Sequence, residues 1–428
     1  MPVLMAVCAA LASLFSGVLV LAAWLWMTRQ RTSIPGPPTL PLLGNATLFY
    51  KLPVLLNRLG DLKHRYGDIF RFYIGPKLVI VITEPEDVQR LLVTSKPRER
   101  DPYLGFMLSR IQGNGLLVNK GDVWKLHRKF VEPGFHNERM LYRPWTAISF
   151  FKWLTEDGRK LVKIQAFTKS FAEESISLVR RNLSNKNISA RSLLTCLLPE
   201  NKLGVTATEK EIIDEALTLS STGTETTADT MGYLMTLLGL HPEWQDKAQR
   251  ELDDVFGAGG DYLRPVTTAD FAQLPVLDAI VKETLRLFPT APAAPYLVTE
   301  DTPLAGGRYV APRGSTVMVA YYLLHRQPQL FPDPHKFDPS RFLEGGSATN
   351  RKPYSYVPFG VGPRKCVGGR YATLQIKTVL STVLRRYRIL PGSSRKDLEE
   401  SVFSIALFPL TGYRVTFVPR DNIPSSSM

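Results

Sequence analysis

The sequence predicts a mainly α-helical chain with small β-sheets, an α+β fold carrying an N-terminal transmembrane helix, on three observations. Apolar residues recur at helical spacing behind recognisable start signals, at Thr208, at Leu274-Pro275 and after Gly369. β-Branched and aromatic runs are short, as at 68–82. Residues 3–27 hold no charged side chain and are long enough to span a bilayer.

Arg29 and Arg31 follow that apolar run, which reads as a signal anchor with the body on the cytoplasmic side. A cleaved signal peptide is the alternative, but no basic region precedes the run and it exceeds a usual signal core. Ile34-Pro-Gly-Pro-Pro38 then makes a stiff, non-helical spacer. The expected organisation is an anchor and basic flank at 1–31, a proline-rich hinge at 32–45, one large domain at 46–420 and a tail at 421–428. Within the domain, 68–74 and 78–82 flank Gly75-Pro76 and predict a hairpin, and Glu84-Pro85 opens a helix. Residues 97–120 are irregular, rich in Gly, Arg and aromatics. Trp124 and Arg128 lie at i and i+4, on one helical face, so that two donors point the same way.

Thr208-Glu-Lys-Glu211 is a capping box, and the helix it opens runs to about Gly239-Leu240, where His241-Pro242 starts another. Inside it lies Thr222-Gly-Thr-Glu-Thr-Thr227. Gly223 costs about 1 kcal/mol relative to Ala there, and hydroxyls beside a carboxylate suit no apolar core. A kinked helix with hydroxyls bonded back to carbonyls is the structural alternative. Leu274-Pro275 starts a helix carrying Glu283 and Arg286 at i, i+3, and Arg341 lies downstream in a proline-rich meander.

Lys and Arg number 53 against 39 Asp and Glu, a net charge of +14, yet the basic residues are dispersed and form no nucleic-acid module. An anionic membrane and an acidic protein partner account for the charge better. Three cysteines, Cys8, Cys196 and Cys366, lie too far apart in sequence to suggest a disulfide framework or a zinc cluster.

Cys366 is different in kind. It sits in Phe359-Gly-Val-Gly-Pro-Arg-Lys-Cys-Val-Gly-Gly369, just before an amphipathic helical run. Free N–H groups and partial positive charge at a helix start favour thiolate, which is a metal ligand. Gly362 and Gly368 remove side chains where a flat cofactor would meet backbone, Phe359 can cover the sulfur, and Arg364 adds a cation. A small buried hydrophobe in a glycine-rich turn is the bland alternative. Phe-x-x-Gly-x-Arg-x-Cys-x-Gly matches the haem-binding signature of the cytochromes P450, which the chain therefore resembles.

That resemblance implies a single P450 fold, haem b ligated through its iron by Cys366, and monooxygenase chemistry. Trp124 and Arg128 would meet a haem propionate. Gly223 would open a groove over the iron, Thr226 hold a water and Glu225 supply protons. Glu283, Arg286 and Arg341 resemble the family's Glu-Arg-Arg triad, a structural lock on the cysteine loop. Electrons would come from NADPH through cytochrome P450 reductase, docking near Arg128, Lys129 and Lys365, with cytochrome b5 as a further partner, at the endoplasmic reticulum membrane and with no nucleic acid.

Phe130-Val-Glu-Pro-Gly-Phe-His136, Leu324-His-Arg326 and the 331–342 meander resemble the branch that includes insect P450s and fatty-acid ω-hydroxylases. This branch often has a glutamate where Thr222 stands, so non-covalent haem is expected. Two departures stand out. Tyr296 occupies a region where an arginine usually holds the second propionate, and His325 is the candidate substitute. The chain also passes from His136 almost directly to Arg143-Pro-Trp145, which resembles a loop several helices later, so the resemblance implies that an internal segment near 136–143 is missing. The readings are a membrane-anchored monooxygenase acting on an apolar small molecule, or a non-catalytic haem- or partner-binding remnant.

Overall fold

Helices dominate the chain, and its strands are short. A computed structural model describes residues 2–49, 55–94, 99–102, 115–121, 166, 169–181, 208–257, 261–403 and 406–420. Trp124, Arg128, Lys129 and the 136–143 junction lie outside these residues.

They gather into two compact units, one of 1–99 with 293–320 and one of 100–292 with 321–428. The sequence treats 46–420 as one body. The division arises because a parallel strand pair needs a crossover, so the chain leaves the first sheet and comes back to it.

In the first unit, α1 (Pro2–Thr28) is uncharged along its length, and its described side chains are mostly exposed. Over the described residues, no helix is long and apolar enough to cross a membrane. The predicted hairpin forms from β1 (Ile69–Ile74) and β2 (Lys77–Ile82), paired Ile69 to Ile82, and α2 (Leu55–Tyr66) covers it with Leu55, Leu56, Leu59 and Leu62. α3 (Pro85–Gln89) starts with Glu84 at its N-cap position and Pro85 in its first turn, as Glu84-Pro85 predicts, without a side-chain cap bond. The edge strand β3 (Glu99–Arg100) and the returning strands β4 (Ala294–Leu297), β5 (Thr302–Leu304), β6 (Tyr309–Ala311) and β7 (Thr316–Val319) follow. The main sheet has the order β1-β2-β7-β4-β3, with β2 and β7 parallel, while β5 and β6 pair separately. The proline-rich hinge is docked rather than free: Arg71 N–H donates to the Pro35 carbonyl at 2.8 Å, and Asn45 Nδ2 donates to the Pro38 carbonyl at 2.7 Å.

The second unit is organised on α4 (Glu209–Leu240), whose capping box forms as the sequence predicts. The Thr208 hydroxyl accepts from Glu211 N–H at 3.3 Å, and the Glu211 carboxylate accepts from Thr208 N–H at 2.8 Å. α5 (Pro242–Gly257), α6 (Pro275–Leu287) and α7 (Gly369–Arg386) pack on α4. β8 (Tyr387–Pro391) pairs with β11 (Val415–Pro419), and β9 (Ser401–Phe403) with β10 (Leu407–Pro409). Gln245 ties α5 to β8 by imitating a neighbouring strand, donating to the Ile389 carbonyl at 2.9 Å and accepting from its N–H at 2.6 Å.

Candidate active site

The cysteine loop folds as two tight turns. Gly360 and Gly362 have φ of 69° and 76°, a left-handed conformation that side chains with a Cβ rarely adopt. Gly360 N–H donates to the Val357 carbonyl, Lys365 N–H to the Gly362 carbonyl, and Cys366 N–H to the Phe359 carbonyl at 2.7 Å. Phe359 is held close to Gly369, where an added Cβ would lie 3.1 Å from its ring. Gly368 caps α7 without a side chain, so no cap competes for the first N–H groups of that helix.

Cys366 is exposed on this otherwise tied loop. Burial is the usual state of a structural cysteine, so the small-hydrophobe alternative does not describe it. Arg364, two residues before, is buried and donates from both Nη atoms to the Asn119 carbonyl at 3.1 Å. The sequence names Arg364 as a candidate but carries no sign of Asn119, because the acceptor is backbone.

On α4, Glu225 is buried and Gly223 half-buried. Two threonine hydroxyls donate one turn back: Thr222 to the Thr218 carbonyl at 2.7 Å and Thr226 to the Thr222 carbonyl at 2.8 Å. The local geometry is thus that of back-bonded hydroxyls, with the Thr226 lone pairs left to accept. The Thr224 hydroxyl oxygen is buried with no hydrogen-bond partner among the described residues. Such a group is costly unless something beyond the chain meets it. The exposed cysteine and the ring-covered glycine turn fit a prosthetic group ligated at Cys366.

The triad assembles. Glu283 and Arg286 are wholly buried and pair at 2.7 Å, and Arg341 Nε lies 3.4 Å from Glu283 Oε1. Arg286 also donates to the carbonyls of His325, Pro334 and Lys336, Arg341 to that of Asp333, and Glu283 accepts from Asp338 N–H. A buried pair is tolerated when its remaining donors are satisfied, as here. Its role is to hold the meander.

His325 is placed differently from the sequence expectation. It is wholly buried, and Nε2 accepts from Val357 N–H at 3.0 Å, so that nitrogen is spent on the loop and is not open to a propionate. Tyr296 is buried in β4 opposite Val317. Trp124 and Arg128 fall outside the described residues.

The described fold and the cysteine loop together point to the class of haem-thiolate proteins. The chain belongs to the cytochrome P450 family, whose model, described as Cytochrome P450, matches residues 34–148 and 138–417. It is a P450 monooxygenase, an oxidoreductase. The two matched spans overlap at 138–148. Among curated relatives, the probable cytochrome P450 4aa1 of Drosophila melanogaster is 25% identical over 468 aligned residues, covering 91% of this chain and 90% of its own. That alignment is longer than the chain's 428 residues, so the relative carries residues that this chain lacks. Human cytochrome P450 4V2 is 28% identical, covering 78% of this chain and 79% of its own. A solved structure titled retinoic acid bound cyanobacterial CYP120A1 shares the fold, with a TM-score of 0.72 at 22% identity, over 91% of this chain and all of that one.

Proposed function

We propose a haem-thiolate monooxygenase, anchored in the endoplasmic reticulum membrane and facing the cytosol, that inserts oxygen into an apolar small molecule such as a fatty acid, a hormone-like lipid or a xenobiotic. The observation that carries it is the exposed thiol of Cys366 on a loop braced in every other respect. When bound, a thiolate-ligated haem supplies the electron density that favours O–O cleavage. Cys366 would hold it, Phe359 cover the ligand, and Trp124 and Arg128 grip a propionate. Thr226 would hold a water through the lone pairs its back-bond leaves open, and Glu225 move protons. NADPH-cytochrome P450 reductase would supply electrons at the basic face near Arg128, Lys129 and Lys365, with cytochrome b5 as a second donor.

The membrane reading rests on α1, 27 residues without a charge, followed by Arg29 and Arg31.

A segment absent near 136–143, as the family resemblance implies, would support a second reading, a remnant that kept the cysteine half and lost turnover. A dithionite-plus-carbon-monoxide difference spectrum on the full chain separates them. A thiolate-type band with substrate turnover establishes the first; no haem uptake leaves the remnant.

A further inference from the structure

A side chain that belongs to neither ties the cysteine loop to the buried triad, beside the bond from Tyr356 Oη to the Lys282 carbonyl at 2.9 Å. We infer that His325 is a positioning residue for the thiolate ligand: its Nε2 holds Val357, and with it the turns ending at Cys366, in register with Arg286. The path is continuous. Arg286 Nη1 donates to the His325 carbonyl at 3.0 Å, and Val357 N–H donates to His325 Nε2 at 3.0 Å. The Val357 carbonyl then accepts from Gly360 N–H at 2.9 Å, and the Phe359 carbonyl from Cys366 N–H at 2.7 Å. His325 meets the triad through its backbone and the loop through its ring. The inference rests on Cys366 being the ligand and goes beyond it.

The surroundings support this role. His325 is 0% exposed, with the rings of Tyr321 and Tyr356 centred 6.4 and 5.3 Å away. A ring that accepts at Nε2 carries its proton on Nδ1. Burial, then the charges of Arg286, Arg326 and Arg351, holds its pKa well below the ordinary value, which keeps the acceptor available. Nδ1 is buried with no hydrogen-bond partner among the described residues, so the Nε2 bond is the ring's polar contact with its neighbours. The helical turn Tyr321–Leu324 that leads into His325 also meets the loop: a Cβ on Gly360 would lie 3.3 Å from Tyr321 Oη.

The test compares His325→Leu, His325→Asn and His325→Gln in the full chain. Glutamine carries an acceptor about as far from the backbone as Nε2, whereas asparagine stops short and leucine has none. Amide exchange at Val357 is read with and without haem, and the ligand state by the ferrous carbon monoxide band. The Leu and Asn variants are expected to lose about tenfold in protection at Val357 and to convert most of their carbon monoxide complex from the thiolate band to that of a neutral ligand. The Gln variant is expected to stay near the parent in both. Gln behaving like Asn, or protection unchanged in Leu and Asn, overturns the inference. So does faster haem loss with band and protection unchanged, which would mark a propionate contact. If Leu fails to fold, Asn against Gln decides. If the parent binds no haem, the proposed function fails, and the exchange measurement alone decides this role.

Discussion

Cys366 and Thr226 differ in what their surroundings ask of them. Cys366→Ser is expected to leave the loop folded, since its turns are held by backbone bonds, yet to abolish the thiolate band and all monooxygenation, because an alcohol is too weakly acidic to ligate as an anion. The carbon monoxide spectrum and product formation check both. Thr226→Ala removes only a bond to its own helix. Its stability should change by less than ~1 kcal/mol, while the peroxide formed per NADPH rises. Coupling equal to the parent would assign Thr226 to helix packing. His325 gives a pH dependence with a definite sign. Its folded pKa lies below the unfolded value near 6.5, so the unfolded state binds the extra proton. Its contribution to stability is complete above about pH 6.5 and is lost as the pH falls toward the folded pKa. His325→Gln should flatten urea-midpoint profiles over that acid window relative to the parent.

Two helical ion pairs look alike in sequence and differ by burial. Glu283 and Arg286, at i and i+3, have side chains 0% exposed, whereas Arg395 and Glu399, at i and i+4, are 27% and 47% exposed. Removing one partner of the buried pair strands a charge, at a cost of about 3–5 kcal/mol; breaking the exposed pair costs about 0.3–0.5 kcal/mol. Glu283→Ala should therefore unfold at much lower urea than Arg395→Ala, and it should accumulate largely without haem. The helices themselves were legible. Thr208 and Glu211 carry both halves of a capping box, and the Glu84-Pro85 and Leu274-Pro275 starts were read from proline chemistry. Asn119 and Val357 were not legible, because a carbonyl or N–H is the same on every residue and only folding selects which one is used.

At the scale of the whole molecule, the segment that the family resemblance implies is missing near 136–143 carries a prediction. Helical residues 169–181 bury Ala172 and Ile176 but leave Phe171 and Leu178 at 51% and 53% exposed. Apolar surface left uncovered forgoes about 25 cal/mol per Å², in a domain whose net stability is only ~5–15 kcal/mol. Inserting a relative's residues at the 136–143 junction is expected to raise haem-replete yield and turnover, measured as the carbon monoxide band per milligram and product per minute. A parent that already loads fully with haem and oxidises a fatty acid at ordinary rates would overturn this. Removing residues 1–31 should move the protein from tight to salt-sensitive membrane association, read by sedimentation after a high-salt wash; retention through the wash would place the anchor elsewhere.

The sequence by itself determined the family and the triad's members, and it marks the candidate ligand cysteine, because these reside in residue identity and spacing: a thiol at a helix start, paired charges one turn apart. Tertiary structure decided what neighbours do to those groups. It exposed Cys366, buried Glu283 with Arg286, turned the Thr226 hydroxyl onto its own helix, and set His325 Nε2 to accept from Val357 N–H. Burial and hydrogen-bond partnership depend on segments far apart in the chain, which no local pattern encodes.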